Sequence, residues 1–222
     1  MSAMFKQTFA VLIKDLKSEY KTRHSIAAVM LFILATITII VFGTAGEILS
    51  ESMTSGLIWI IYFFIAMTSL ARSFVGEEER GTSFLLKLTV PPGPIYFGKL
   101  IYNIILSLLL NSAAILLFFI LAEASQIENI TSFLITHVLG SIGIASGTTV
   151  ISAIISKAGS RGALFPVLSL PIILPIILIG IDATKAAFAG RSEPTDDYLL
   201  MIAYSGIIIP VSYILFDQVW KD

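Results

Sequence analysis

Few residues in this 222-residue chain could do chemistry, and their spacing argues against most of it. There is no cysteine, which removes thiolate catalysis, disulfides and Cys-based metal or cluster sites. Only two histidines occur, His24 and His137, too few for a His-rich metal centre. The nearest approach to a catalytic motif is Gly93-Pro-Ile-Tyr-Phe-Gly98-Lys99-Leu100, which almost satisfies the phosphate-binding pattern G-x-x-x-x-G-K-[ST]. Leu100 stands where a Mg²⁺-binding hydroxyl is required, and Pro94 removes a backbone N–H from the phosphate cradle. The segment also leads into an apolar stretch rather than an α/β nucleotide domain. This chain is not expected to hydrolyse ATP, so any ATPase working with it is a separate polypeptide.

The polar residues that remain form two groups. The first is the run from Arg72 to Pro92, where Glu77, Glu78 and Glu79 precede Gly81, a short apolar–polar segment and the pair Pro91-Pro92. Gly81 can reverse the chain direction and the prolines cannot continue a helix. Between them, Thr82–Thr89 is expected to form about two turns of helix that present Phe84, Leu85 and Leu88 along one side. Such a helix, with no core of its own, fits either a protein partner or a loop lying on a membrane. The second group is Asn103, Ser107 and Asn111, which at i, i+4 and i+8 share one helix face. They are candidates for a bundle-interior polar face, serving as interhelical hydrogen bonds or as the lining of a substrate path.

The elements that position these residues are membrane spans. Six stretches lack any charge: about 26–43, 56–71, 100–122, 133–156, 163–181 and 198–216. A helix needs ~20 apolar residues to cross the hydrocarbon layer, and one mid-bilayer charge costs roughly 2.5–3.5 kcal/mol on insertion scales. The 56% hydrophobic and 13% charged composition agrees, and the mean hydropathy is +0.93. The net charge of −1 gives no reason to expect a nucleic-acid partner. Once the spans are drawn, twelve of the fourteen Lys and Arg residues fall on one side, and only Lys185 and Arg191 fall on the other. The positive-inside rule then places both termini in the cytoplasm. Before the first span, Phe5, Phe9, Leu12, Ile13, Leu16 and Tyr20 line one helix face, with Lys6, Lys14, Lys17 and Lys21 mostly around the other. That is the pattern of an interfacial helix, apolar face towards the lipid; a soluble helix is the alternative. The segment is too polar for a cleavable signal. Within the spans, Gly140, Gly143 and Gly147 allow close helix approach, inside the subunit or across a dimer. Pro166, Pro171 and Pro175 imply a kinked or broken fifth span. The fold expected is all-α integral membrane: six transmembrane helices and an amphipathic N-terminal helix.

These features together resemble the membrane subunits of type-2 ABC exporters. Within that group the chain is most similar to the haem exporter permease of bacterial cytochrome c maturation, the CcmB family. The likeness rests on overall length and on the opening Phe9-Ala-Val-Leu-Ile-Lys14-Asp15-Leu-Lys17-Ser-Glu19. It rests also on Arg72-Ser-Phe with the acidic run after it, Gly81-Thr82, Pro91-Pro92, Gly98-Lys99 and the Pro-rich fifth span. The resemblance implies a single permease domain over 1–222, with residues 1–24 the interfacial helix and 72–98 a cytoplasmic coupling loop. It places Glu77, Glu78, Glu79, Gly81, Phe84, Leu85, Leu88 and Pro91 in contact with a cytoplasmic ABC ATPase present in two copies. It further implies other cytochrome c maturation membrane proteins as partners, a homodimer within the complex, surrounding lipid and a bacterial inner-membrane location. Haem is then a transported or handled substrate rather than a resident cofactor. His137 invites comparison with a haem axial ligand, but a lone His without a partner at ligand spacing reads as a hydrogen-bonded interfacial residue. The competing readings are a type-2 permease for a lipid, drug or polysaccharide, a membrane enzyme, and a passive scaffold. The enzyme reading lacks intramembrane acids, bases or metal ligands beyond His137.

Overall fold

Inside lipid a backbone must satisfy its own hydrogen bonds, and helix is the way an open chain does so. The computed structural model of the chain describes residues 2–21, 23–44, 47–79, 81–157, 161–191 and 194–221. Arg80 lies outside the described residues, as do the side chains of Arg23, His24, Arg161 and Lys221. The described elements are helical: α1 (Ser2–Lys21), α2 (Arg23–Gly43), α3 (Glu51–Ile65), α4 (Arg72–Glu79), α5 (Ser83–Thr89), α6 (Pro92–Leu121), α7 (Ile130–Ser156), α8 (Arg161–Phe188) and α9 (Thr195–Lys221). A single π-helical turn, Ala66–Leu70, links α3 to α4, so these three pieces form one near-continuous rod. Among the described residues, six helices are long and apolar enough to cross a membrane.

The third span differs from the sequence expectation at its start. Its helix begins at Pro92 rather than near Leu100, so the stretch expected as a loop is mostly helix. Proline is suited to the first helical position because its missing N–H has no intrahelical partner there.

The axis of the bundle is α7, which packs against α6, α8 and α9. It earns that place by being thin. A Cβ added to Gly143 would sit 2.6 Å from Ile176 of α8, and one on Gly147 would sit 2.9 Å from the Tyr204 hydroxyl of α9. Trp59 of α3 is wedged between α7 and α8: a Cβ on Gly140 would lie 2.4 Å from its ring, and one on Gly180 1.8 Å. The small-residue stripe is thus consumed within the subunit. Four hydroxyls of α7 are satisfied locally, Thr136, Ser146, Thr148 and Thr149 donating to carbonyls one turn back at 2.6–2.9 Å. Polar residues can therefore be buried along α7 without needing water.

Of the two outcomes expected for the fifth span, a kink or a break, the break is absent. α8 runs as one helix with Pro166, Pro171 and Pro175 inside it. The proline ring fixes φ near the helical value, so each proline removes one hydrogen bond without forcing the chain out of helix. Unwinding in lipid would free further backbone groups at greater cost.

α1 lies against the start of α6, where Gly98 admits it: a Cβ there would come 2.9 Å from the Thr8 carbonyl oxygen. Phe5, Phe9, Ile13, Leu16 and Tyr20 remain exposed on one face, as an interfacial helix requires. Leu12 differs from the sequence expectation, turning inward with Val11 and Asp15. At the end of the bundle opposite the termini, the connections are stapled together. Leu49 N–H donates to the Glu123 carbonyl at 3.0 Å, and Asn129 N–H to the Ala187 carbonyl at 3.0 Å.

Candidate coupling site and its charged anchor

The chain leaves α4 through a left-handed residue, Gly81 at φ 67°, a conformation that favours glycine. The turn is closed by Gly81 N–H to the Glu78 carbonyl (3.1 Å) and Thr82 N–H to the Glu77 carbonyl (3.0 Å). The seven-residue α5 that follows is too short to be stable alone and must be held by packing. Its inner side supplies Ser83 and Leu86, the latter buried in a cluster with Val11, Phe74, Tyr96, Phe216 and Trp220. Lys87 sits 5.5 Å from the Trp220 ring centroid, a cation–π contact that clamps α5 to the end of α9. Its outer side carries Phe84, Leu85 and Leu88, which are 69%, 66% and 71% exposed. Pro91 caps the next helix in extended conformation, φ −60° and ψ 156°.

Beneath α5 lies a buried ion cluster. The Glu77 carboxylate accepts from the Lys14 ammonium, from Lys99 Nζ at 3.3 Å and from the Thr82 hydroxyl at 2.6 Å. Asp15 pairs with Lys14 at 3.1 Å and with Lys99 at 3.1 Å. Lys99, 1% exposed, also donates to the Ser73 carbonyl at 2.6 Å and lies 5.2 Å from the Phe74 ring centroid. Two ammoniums and two carboxylates thus cancel, as they must, because an unpaired charge buried here would cost several kcal/mol. Burial pulls the Lys14 pKa down, but Asp15 and Glu77 outweigh it and hold the value above the ordinary 10.5. Tyr102 adds a flanking bond, donating to Glu19 Oε2 at 3.0 Å.

The cluster explains the near-match to a phosphate loop. Gly98 provides the groove for α1 and Lys99 neutralises two acids, so the Gly-Lys pair works inside the fold. It also corrects the place of Glu77, which the sequence reading set on a partner-facing loop and the structure turns inward. Glu79 is exposed and Glu78 half-buried. Asp15 and Lys14 were missed as site residues; the available signal was an acid one turn after Val11 and Leu12, away from the face of Phe5 and Phe9.

Asn103, Ser107 and Asn111 are buried against α7. Asn103 donates to the Thr149 hydroxyl at 2.9 Å, and Asn111 donates to Ser141 at 3.0 Å and Ser107 at 3.2 Å. At the far end, His137 has both ring nitrogens engaged, Nδ1 2.6 Å from the Tyr62 hydroxyl and Nε2 3.0 Å from the Ser112 hydroxyl. Both nitrogens thus meet hydroxyl partners within the chain. Among the described residues, no three His, Asp or Glu side chains gather as a metal site.

A family model described as CcmB protein matches residues 6–213. The chain belongs to the CcmB family. This CcmB-family protein is therefore a multi-pass membrane permease subunit of the ABC system for cytochrome c maturation. No curated protein matches it. The match includes α1, α4, α5 and α6, so the charged anchor and the exposed α5 face belong to the CcmB region itself.

Proposed function

We propose that this permease is worked by a separate cytoplasmic ATPase that grips α5. One observation carries the reading. α5 holds three large apolar side chains clear of the protein on a helix too short to stand alone, at the end where the termini lie. Burying such side chains in a partner is worth about 1.5–3 kcal/mol each, and leaving them in water forfeits that gain. The positive-charge bias supports placing this end in the cytoplasm of a bacterial inner membrane, within reach of ATP.

In this mechanism two ATPase chains close on ATP and displace α5. The displacement passes through the Gly81 turn to Glu77, which is tied to Lys14 of α1 and Lys99 of α6. The interfacial helix and the third span then shift with α5. Two nucleotide-binding chains call for two copies of this permease, or this one beside another maturation membrane protein. The single permease domain either exports haem or releases the haem-loaded periplasmic chaperone.

A photo-cross-linker at position 84 or 88 tests the docking. It should capture an ATPase chain from membranes in mild detergent, and capture that ignores Leu85→Asp would refute it. Deleting the gene should abolish covalent haem attachment to c-type cytochromes; normal attachment would overturn the role in maturation.

A further inference from the structure

A cavity of about 620 Å³ opens beside the charged anchor, walled by α1, α2, the π turn with α4, and α6. Its volume falls within the 300–1,000 Å³ typical of small-molecule sites. Its lining changes with depth. Lys99, Tyr102, Leu106 and Leu110 descend one face of α6, passing from charge to phenol to aliphatic carbon. At 1.5 Å per residue that descent covers roughly 16 Å, about half the hydrocarbon layer. Across from them, Ile26, Val29 and Met67 line the apolar part. The opposite wall includes the π turn, whose Met67, Thr68 and Ser69 face the space; such turns recur at functional sites. In the polar part, the Ser73 hydroxyl is buried without a hydrogen-bond partner.

Among the described residues, the charges lining this cavity are Asp15, Glu19, Glu77 and Glu79 against Arg72 and Lys99. Even with Lys14 counted behind the wall, the acids exceed the bases by one among the described residues. We propose that the cavity holds an aminophospholipid, one whose head joins a primary ammonium to a phosphate. The ammonium meets Glu19, Glu79 and the unpaired Ser73 hydroxyl, the phosphate meets Arg72 at the rim, and an acyl chain lies along Leu106 and Leu110. A quaternary head has no N–H to give those acceptors, and a purely anionic head meets an excess of carboxylates. The same excess opposes a haem, whose edge carries two carboxylates. The assignment is independent of the ATPase reading, because it needs neither nucleotide nor a partner chain.

The test uses the full-length protein in phosphatidylcholine nanodiscs with a photoactivatable phosphatidylethanolamine. Label should fall on peptides within 66–79 and 99–110. Unlabelled phosphatidylethanolamine should compete about tenfold better than phosphatidylcholine or phosphatidylglycerol, the ratio one charge-assisted hydrogen bond supplies. Glu19→Gln should cut the labelling several-fold, and Leu106→Trp should abolish it, with thermal unfolding reporting that each variant is folded. Equal competition by phosphatidylcholine, stronger competition by phosphatidylglycerol or haem, or label elsewhere would overturn the proposal. So would full labelling of both variants. The comparison of lipids on the unaltered chain decides the matter even if a variant does not fold.

Discussion

The two ends of this bundle are held by different forces. At the end bearing the termini, α1, α4 and α6 meet through four clustered charges around the buried Lys99. At the other end, contact is neutral and steric: Trp59 fills the groove between Gly140 and Gly180 and donates to Thr184 at 2.9 Å, while His137 bridges Tyr62 and Ser112. A wedged tryptophan has one good position, and moving it trades close packing for a void. An ion cluster keeps most of its Coulomb energy if its members re-pair over small displacements, because that energy falls slowly with distance. The difference assigns rigidity to the far end and permitted movement to the end where α5 emerges.

The largest effect expected from breaking this contrast is at Lys99. Lys99→Met leaves Asp15 and Glu77 facing each other with only Lys14 between them, and removing one partner of a buried pair costs about 3–5 kcal/mol. Unfolding in detergent should show that loss. The double variant Lys99→Met with Glu77→Gln should recover a good part of it, since the two residues share one network. Additive losses would mean that the cluster does not act as a unit.

Next comes the steric end. Gly180→Ala places a carbon 1.8 Å from the Trp59 ring, and overpacking of this kind costs about 1–3 kcal/mol. Gly56→Ala in α3, with nothing within 4 Å of the new carbon, should be neutral by the same assay. If both behave alike, Trp59 is not wedged.

How much of this was readable from residues alone follows from the physics of each signal. The spans were legible because a charge-free window of about twenty residues has few explanations other than lipid. The outward face of α5 was legible because Phe84, Leu85 and Leu88 fall at helical spacing between Gly81 and Pro91. The ion cluster was not, because Lys14, Glu77 and Lys99 each look like an ordinary headgroup-level charge until the fold brings them together. Gly140 and Gly143 announced close approach without naming the neighbour, which proved to be Trp59 and Ile176 of the same chain. The three prolines left a kink and a break open, and the break is disfavoured because a broken helix is solvated in water but not in lipid.

A smaller effect is expected at His137. His137→Leu removes two hydrogen bonds between neutral groups, and such bonds average about 0.6 kcal/mol between helices in membranes. The total should stay near 1 kcal/mol, well below the loss at Lys99. A loss as large as that for Lys99→Met would erase the distinction between the two ends.

The smallest effect is one of pH, at Lys14. Its folded pKa lies above the ordinary 10.5 because the neighbouring carboxylates outweigh burial. A group whose pKa is raised on folding contributes stability that is fully present below the unfolded value and lost as pH rises through the folded value. Stability attributable to Lys14 should therefore be flat through neutral pH and fall only in strong alkali. Lys14 is partly exposed, so water screens the pairing and keeps the step small. Unfolding midpoints measured between pH 7 and pH 11 should show a shallow alkaline decline that Lys14→Met removes. A step near neutrality that Lys14→Met removes would mean that burial, rather than Asp15 and Glu77, governs this ammonium, and the cluster would then be too loosely held to pass on the movement of α5.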